Sequence, residues 1–260
     1  MNLIILGNGF DIANELQTGY GDFKTFVEQH NVELFEMLNQ IYCKSDLWSN
    51  FEYALGYPNI KFLDKLDTLF GINNGIGEDF AADLKNMFGK WISSIDFSQC
   101  YQRFLLDRSD KYITFNYTET LEQVYEIDEK NIIHIHGRVA QHYYGIPLEV
   151  GHNNRNFSRP LLKATYKKVD EISKKLEKTI CELAEKNEIT DIKIVGHSFN
   201  DIDFLYFCII NEKFKEANWT FGCKTGRDFE NAQQYAHRLG LDTKKYIIIN
   251  SEQVFETKEM

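Results

Sequence analysis

Six short runs rich in apolar residues recur along the chain at residues 1–6, 111–115, 131–136, 191–195, 219–223 and 246–250. Between most of them lie segments whose apolar residues repeat with helical spacing. The alternation therefore predicts an α/β fold: a doubly wound, mainly parallel Rossmann-like sheet with helices on both sides.

The spacing of the runs is uneven. Only the first precedes residue 20, and the second begins near residue 111. Residues 20–108 read as a helical block inserted into one domain that spans residues 1–260. Phe23, Phe26, Val27, Leu34, Phe35 and Leu38 share a helical period and predict a helix over residues 20–40. Ser45-Asp46 has the chemistry to cap a further helix running toward Leu55. Helices are predicted over residues 60–70 and 78–97, with the glycine-rich stretch 71–77 as a turn. An ordinary crossover is much shorter, so the block is read as a lid or partner surface. Further on, residues 143–156 read as loop, 160–186 as a long charged helical region, and 201–214 and 227–239 as helices.

In open α/β sheets ligands sit outside the carboxyl ends of the strands. Here the first four runs end in small or polar residues: Gly7-Asn8-Gly9-Phe10-Asp11, Asn116-Tyr117-Thr118, His136-Gly137 and Gly196-His197-Ser198. Glycine permits a tight turn and a close backbone approach, and a helix start offers N–H groups to an anion. The first turn is thus a candidate phosphate cradle. It lacks the third glycine of the dinucleotide fingerprint, where Ile12 stands. An ordinary glycine turn after a buried strand explains the pattern equally well.

The other strand ends carry their own alternatives. Asn116 could orient a water or a ribose, or cap the helix that follows. His134 and His136 are two apart on a predicted strand and should face one side. His136, at the strand end, suits a general base near neutral pH; His134 reads as a core histidine. Gly196-His197-Ser198-Phe199-Asn200 lacks the final glycine of a nucleophile elbow. Ser198 fits hydrogen bonds to phosphate or ribose, and Asp201 and Asp203 fall in a helix's first turn, where the dipole favours acid.

Composition narrows the function classes. The formal net charge of −10 argues against a protein that coats a nucleic-acid backbone. Lys163, Lys167, Lys168, Lys174 and Lys175 are interleaved with Asp170, Glu171 and Glu177 and read as solvated helix charge. Cys43, Cys100, Cys181, Cys208 and Cys223 contain no Cys-x-x-Cys pair, which argues against a zinc knuckle and suits reduced thiols in a cytoplasm. No run matches a signal peptide or a membrane span. A cytoplasmic protein with no metal and no membrane partner is expected.

Taken in order, Gly7-Asn8-Gly9-Phe10-Asp11, Trp48 with Asn50-Phe51-Glu52, Thr114-Phe115-Asn116-Tyr117-Thr118, His134-Ile135-His136-Gly137 and Gly196 to Asp203 resemble the AbiH family. That is a bacterial family of phage abortive-infection proteins. The same set is distantly similar to the sirtuin-like NAD-binding Rossmann fold. The resemblance implies that Asn116 and His136 carry chemistry. It also implies that Gly7, Asn8, Gly9, Phe10, Asp11, Gly196, His197, Ser198 and Asp203 hold the nucleotide. Departures are visible: Asn8 stands where sirtuins have a small residue, Thr118 where they have Asp, and no four-cysteine zinc module can be built. The resemblance thus points away from deacetylation and toward cleavage of NAD at the nicotinamide–ribose bond, as substrate or ligand. A nucleotide sensor acting through a partner is the alternative, and a nuclease using His134 and His136 a more distant one. A homo-oligomer or a phage-derived trigger would fit a restrained defence protein.

Overall fold

The computed structural model describes residues 1–42, 47–70, 76–98, 100–138, 151–152 and 160–255. The predicted cap at Ser45-Asp46 and most of the predicted loop 143–156 lie outside them. So do residues 71–75 of the glycine-rich stretch.

The chain divides into two compact units. The first comprises Met1–Gln17, Asp96–Arg138 and Asp170–Met260. It holds six strands: β1 (Asn2–Leu6), β2 (Lys111–Thr114), β3 (Ile132–His134), β4 (Asp191–Val195), β5 (Asn218–Cys223) and β6 (Tyr246–Asn250). They form one parallel sheet in the order β3-β2-β1-β4-β5-β6. The chain winds outward from β1 to β3, returns to the middle at β4, and winds outward the other way. The order therefore reverses between β1 and β4, the place where such sheets open a crevice. All six predicted strands are present, and the doubly wound α/β architecture is as expected.

Burial explains the central pair. Leu3, Ile4, Ile5 and Leu6 of β1 and Ile192, Ile194 and Val195 of β4 are almost wholly enclosed. One sheet core gathers Ile4, Leu6, Phe10, Tyr112, Leu121, Tyr125 and Val195. Another cluster is aromatic: Phe115, Phe199, Phe207, Phe221 and Tyr235, with ring centroids 5.4–6.5 Å apart along Phe115–Phe207, Phe199–Phe207, Phe199–Phe221, Phe199–Tyr235 and Phe207–Tyr235.

α1 (Asn8–Ala13) follows β1 directly.

The second unit comprises Thr18–Ile95 and Val139–Val169. Its helices are α2 (Tyr20–His30), α3 (Val32–Ile41), α4 (Phe51–Leu55), α5 (Ile60–Phe70) and α6 (Ile76–Ser93). The helix predicted over residues 20–40 is two helices. Asn31 breaks it, because its side chain accepts the Leu34 N–H at 3.0 Å and caps α3. The apolar period runs through the break, so periodicity alone could not show it.

In the sheet unit α7 (Thr120–Gln123) follows β2. The charged region 160–186 is also two helices, α8 (Pro160–Ala164) of the second unit and α9 (Val169–Lys186), which belongs to the sheet unit from Asp170 onward. α10 (Phe204–Lys213), entered through a 3-10 turn at Asp201–Asp203, and α11 (Gly226–Arg238) complete the sheet unit.

Aromatic packing organises the second unit. Phe23 lies 5.3 Å from Phe51, 5.1 Å from Phe88 and 5.0 Å from Trp91 between ring centroids. Trp48 stacks on Phe51 and donates its indole N–H to Asn39 Oδ1 at 3.1 Å. The Trp48 and Phe51 motif is thus core structure.

Glu52 of that motif has a different partner. Lys167 is 1 % exposed, and its Nζ lies 3.1 Å from Glu52 Oε1. Lys167 is therefore not the solvated helix charge its sequence context predicts, because it falls between α8 and α9. Glu52→Gln removes one carboxylate facing a buried ammonium and is expected to cost about 1–3 kcal/mol. Replacing both, as Glu52→Leu with Lys167→Met, should restore most of it in thermal unfolding. A double variant no better than Glu52→Gln would contradict this.

Candidate functional site

The ends of β1 and β4 are locked together through glycine. Gly7 donates its N–H to Val195 O at 3.0 Å, and Gly9 donates to Gly196 O at 2.9 Å. A Cβ on Gly7 would lie 2.6 Å from Gly196 O, and one on Gly9 would lie 2.8 Å from Gly196 Cα. Gly196 has φ +71°, a left-handed conformation that L side chains rarely adopt, and its Cβ would lie 2.2 Å from Phe10 N. The three glycines thus allow two backbones to touch at the switch point. Two N–H groups of the six-residue α1 are engaged there, Gly9 with Gly196 O and Phe10 with Gly7 O at 2.9 Å.

Other residues expected near a nucleotide are placed differently from one another. The side chain of Phe10 is in the core, 5.6 Å from the Phe104 ring and 5.3 Å from Tyr125. Asn8, the first residue of α1, and Ser198, on the loop after β4, are exposed. The Ser198 carbonyl accepts the Asn231 side-chain N–H at 3.2 Å.

Asp11 is fully enclosed. Thr118 donates its hydroxyl to Asp11 Oδ2 at 2.5 Å, and Thr120 donates to Thr118 Oγ1 at 3.0 Å. Burial raises the Asp11 carboxyl to about 6, against the opposing pull of hydrogen bonds from Thr118, Thr120 and Asn116 and of the His134 charge. Its protons are consequently held more tightly in the folded than in the unfolded chain. The stability of the wild type should fall as pH rises from about 4 to about 6 and then level off, by up to about 3 kcal/mol. Asp11→Asn carries no such proton. Urea unfolding across that pH window should show the variant gaining on the wild type; parallel curves would contradict the shift.

Asn116 sits on the loop after β2, its backbone N–H held by Thr114 Oγ1 at 3.1 Å. It does not cap the following helix, since α7 starts at Thr120 with Glu119 at its cap. Both its neighbours touch His136: the Phe115 ring centroid is 5.6 Å away and Tyr117 is 5.9 Å away.

His134 and His136 have different partners. β3 ends at His134, and Ile135-His136 turn before Gly137, which has φ 75°. The period of two stops where the ladder stops. His134 Nε2 lies 2.8 Å from Glu122 Oε1, which also accepts from Arg138 at 3.0 Å. Arg138 further pairs with Glu119 at 3.3 Å and with Glu129. Burial alone would raise the Glu122 carboxyl, but the His134 hydrogen bond and charge and the Arg138 charge outweigh it and hold it low. This ion cluster has no counterpart in the sequence reading. Its one visible signal is an arginine directly after a His-Gly strand end.

His136 instead meets two partners from the other side of the switch point. Its Nε2 lies 3.6 Å from Asp203 Oδ1, and His197 Nε2 lies 3.3 Å from Asp203 Oδ2. Both imidazoles are 3 % exposed in their side chains and Asp203 is 13 % exposed. Phe115 packs between them, 4.7 Å from the His197 ring centroid. Asp201 faces away from this group and pairs with Arg238. Among the described residues, no group of three or more His, Cys, Asp or Glu is arranged to hold a metal.

A β3-β2-β1-β4-β5-β6 parallel sheet with His136, Asn116, His197 and Asp203 at its carboxyl edge defines a Rossmann-like α/β protein. The family to which the chain belongs is narrower still. It is a member of the AbiH family, described as bacteriophage abortive infection AbiH, whose family model matches residues 3–80 and 72–222. It matches no curated protein and no solved structure. Among the described residues, no helix is long and apolar enough to cross a membrane.

Proposed function

We propose that this abortive-infection protein binds NAD⁺ at the carboxyl edge of its sheet and hydrolyses the nicotinamide–ribose bond. The observation that carries this reading is the meeting of His136, His197 and Asp203 beside the β1/β4 reversal. A histidine next to a carboxylate is the usual equipment of a general base.

In the reaction, the bond from the ribose carbon to the nicotinamide nitrogen breaks and water adds to that carbon. Nicotinamide leaves with the electron pair, and His136 takes the proton from water. The products are nicotinamide, ADP-ribose and a proton. The bond breaks ahead of attack, through an oxocarbenium-like state stabilised by fixed dipoles. Asn116 orients the water or the ribose hydroxyls by its amide. Since Gly9 and Phe10 direct their N–H groups at backbone oxygens, the pyrophosphate falls to groups on the exposed rims, Asn8 and Ser198.

His136 and Asn116 are both buried. Burial supports an enzyme restrained until infection, as a protein that depletes its own cell of NAD⁺ must be. The same burial favours a second reading, a nucleotide sensor without turnover. Intracellular NAD⁺ in expressing bacteria after phage challenge separates the two. A fall with the wild type but not with His136→Ala supports hydrolysis. Protection from phage with unchanged NAD⁺ overturns it in favour of the sensor.

A further inference from the structure

The two edges of the sheet are built differently. β3 is three residues long, and the ion cluster of Glu122, His134 and Arg138 stands at its end. β6 is five residues long, and its register with β5 runs unbroken from Trp219 opposite Tyr246 to Cys223 opposite Asn250. Soluble proteins normally blunt an edge strand with proline, a bulge or charge. The β6 sequence Tyr246-Ile247-Ile248-Ile249-Asn250 carries none of these, and Ile247 within it is 55 % exposed.

Backbone direction decides what can pair there. Trp219 donates its N–H to Lys245 O at 2.7 Å, so the Lys245 carbonyl faces β5. Amide groups alternate along a strand. The N–H and C=O of Ile247 and Ile249 therefore also turn to β5, and those of Tyr246 and Ile248 turn outward. Among the described residues no backbone group pairs with this outer row. The row is closed at both ends by side chains. Lys244 gives its N–H to Asp242 Oδ1 at 2.9 Å, and Asn250 gives its N–H to Gln253 Oε1 at 3.3 Å. Tyr246 and Ile248 are left between them, each with one donor and one acceptor.

We propose that β6 is a homodimer interface, on which a second copy of this chain lays its own β6 antiparallel across a twofold axis at Ile247. Tyr246 of each copy then exchanges both backbone bonds with Ile248 of the other. A slip of one pairing step either way would bring in the committed N–H of Lys244 or of Asn250. The open row is thus its own complement, which is what a twofold interface requires. The two Ile247 residues face each other as a non-hydrogen-bonded pair, with Cα atoms about 4.5 Å apart, where side chains lie closest. That covers the exposed side chain. Charge favours the same direction. Lys244 before the strand and Glu252 after it are both exposed, and antiparallel pairing brings the basic end of one copy near the acidic end of the other. The interface is independent of the reaction assigned above.

Analytical ultracentrifugation of the full chain, from nanomolar to tens of micromolar, tests this. The wild type should sediment as a dimer that dissociates on dilution. Ile247→Lys sets two ammonium groups against each other at the axis and should raise the dimer Kd by about a hundredfold. Ile248→Pro removes an outward N–H, a change that an edge strand tolerates, and should raise it by about tenfold or more. Circular dichroism should report both variants as folded. Amide hydrogen exchange reads the same contact in the unaltered protein, whether or not a variant folds. The Tyr246 and Ile248 N–H groups should exchange slowly in the dimer and fast on dilution, while the Ile247 N–H, bonded to β5, stays slow in both. A wild type that is monomeric throughout overturns the proposal. So does a dimer that both folded variants retain, or one whose Tyr246 and Ile248 amides exchange freely.

Discussion

Gly196→Ala should yield no folded protein, or one weakened by more than about 5 kcal/mol, which is a large part of a typical domain's stability. The new Cβ would sit 2.2 Å from Phe10 N and 2.6 Å from Gly9 C, and both are backbone atoms. No rotamer change relieves such a clash; β1 and β4, the two central strands, would have to part at their ends. The φ of +71° adds strain of its own. Gly240→Ala separates the two effects. It has nearly the same conformation, φ +69°, but nothing within 4 Å of its Cβ, so a loss of only about 1 kcal/mol is expected. Thermal unfolding of the pair measures the difference. Equal losses would mean that conformation, and not the contact between strand ends, sets the cost at Gly196.

Removing the proposed base should have an equally large effect on chemistry. His136→Ala is expected to lower nicotinamide release by about a hundredfold to ten-thousandfold, the usual range for general acid–base catalysis. Asn116→Ala should lower kcat by about tenfold to a hundredfold, since its amide orients but accepts no proton. Asn116 also lowers the Asp11 carboxyl through a side-chain hydrogen bond. Its variant should therefore raise the Asp11 pKa further, and His136→Ala should not. Steady-state kinetics of both variants check the first pair of effects. Equal losses in the two, or none in His136→Ala, would contradict the assigned roles.

The sheet was legible because short apolar-rich runs and helical segments alternate from end to end of the chain. β1 is a continuous aliphatic run after Asn2, β4 is aliphatic but for Asp191 and Lys193, and the small or polar residues after them marked the carboxyl edge. His136 was singled out for its place before Gly137, and it does lie at that edge. Its separation from His134 could not be read, because the ladder stops at His134 and a period of two carries no mark of where pairing ends. The glycine lock was half visible. Each turn announced itself, but Gly7 and Gly196 are far apart in sequence, and only the strand order puts them in contact. Lys167 was misread for a related reason. Its neighbours are charged and helical in pattern, yet it stands in the break between α8 and α9 and points to Glu52. Local pattern reports exposure only where an element is continuous.

The most direct test of the central claim is to incubate the purified full chain with NAD⁺, with and without an extract of phage-infected cells, and to separate the products by chromatography. Wild-type protein should release nicotinamide and ADP-ribose in equal amounts, and His136→Ala should release neither above background. A wild type that leaves NAD⁺ intact in both conditions would contradict the account.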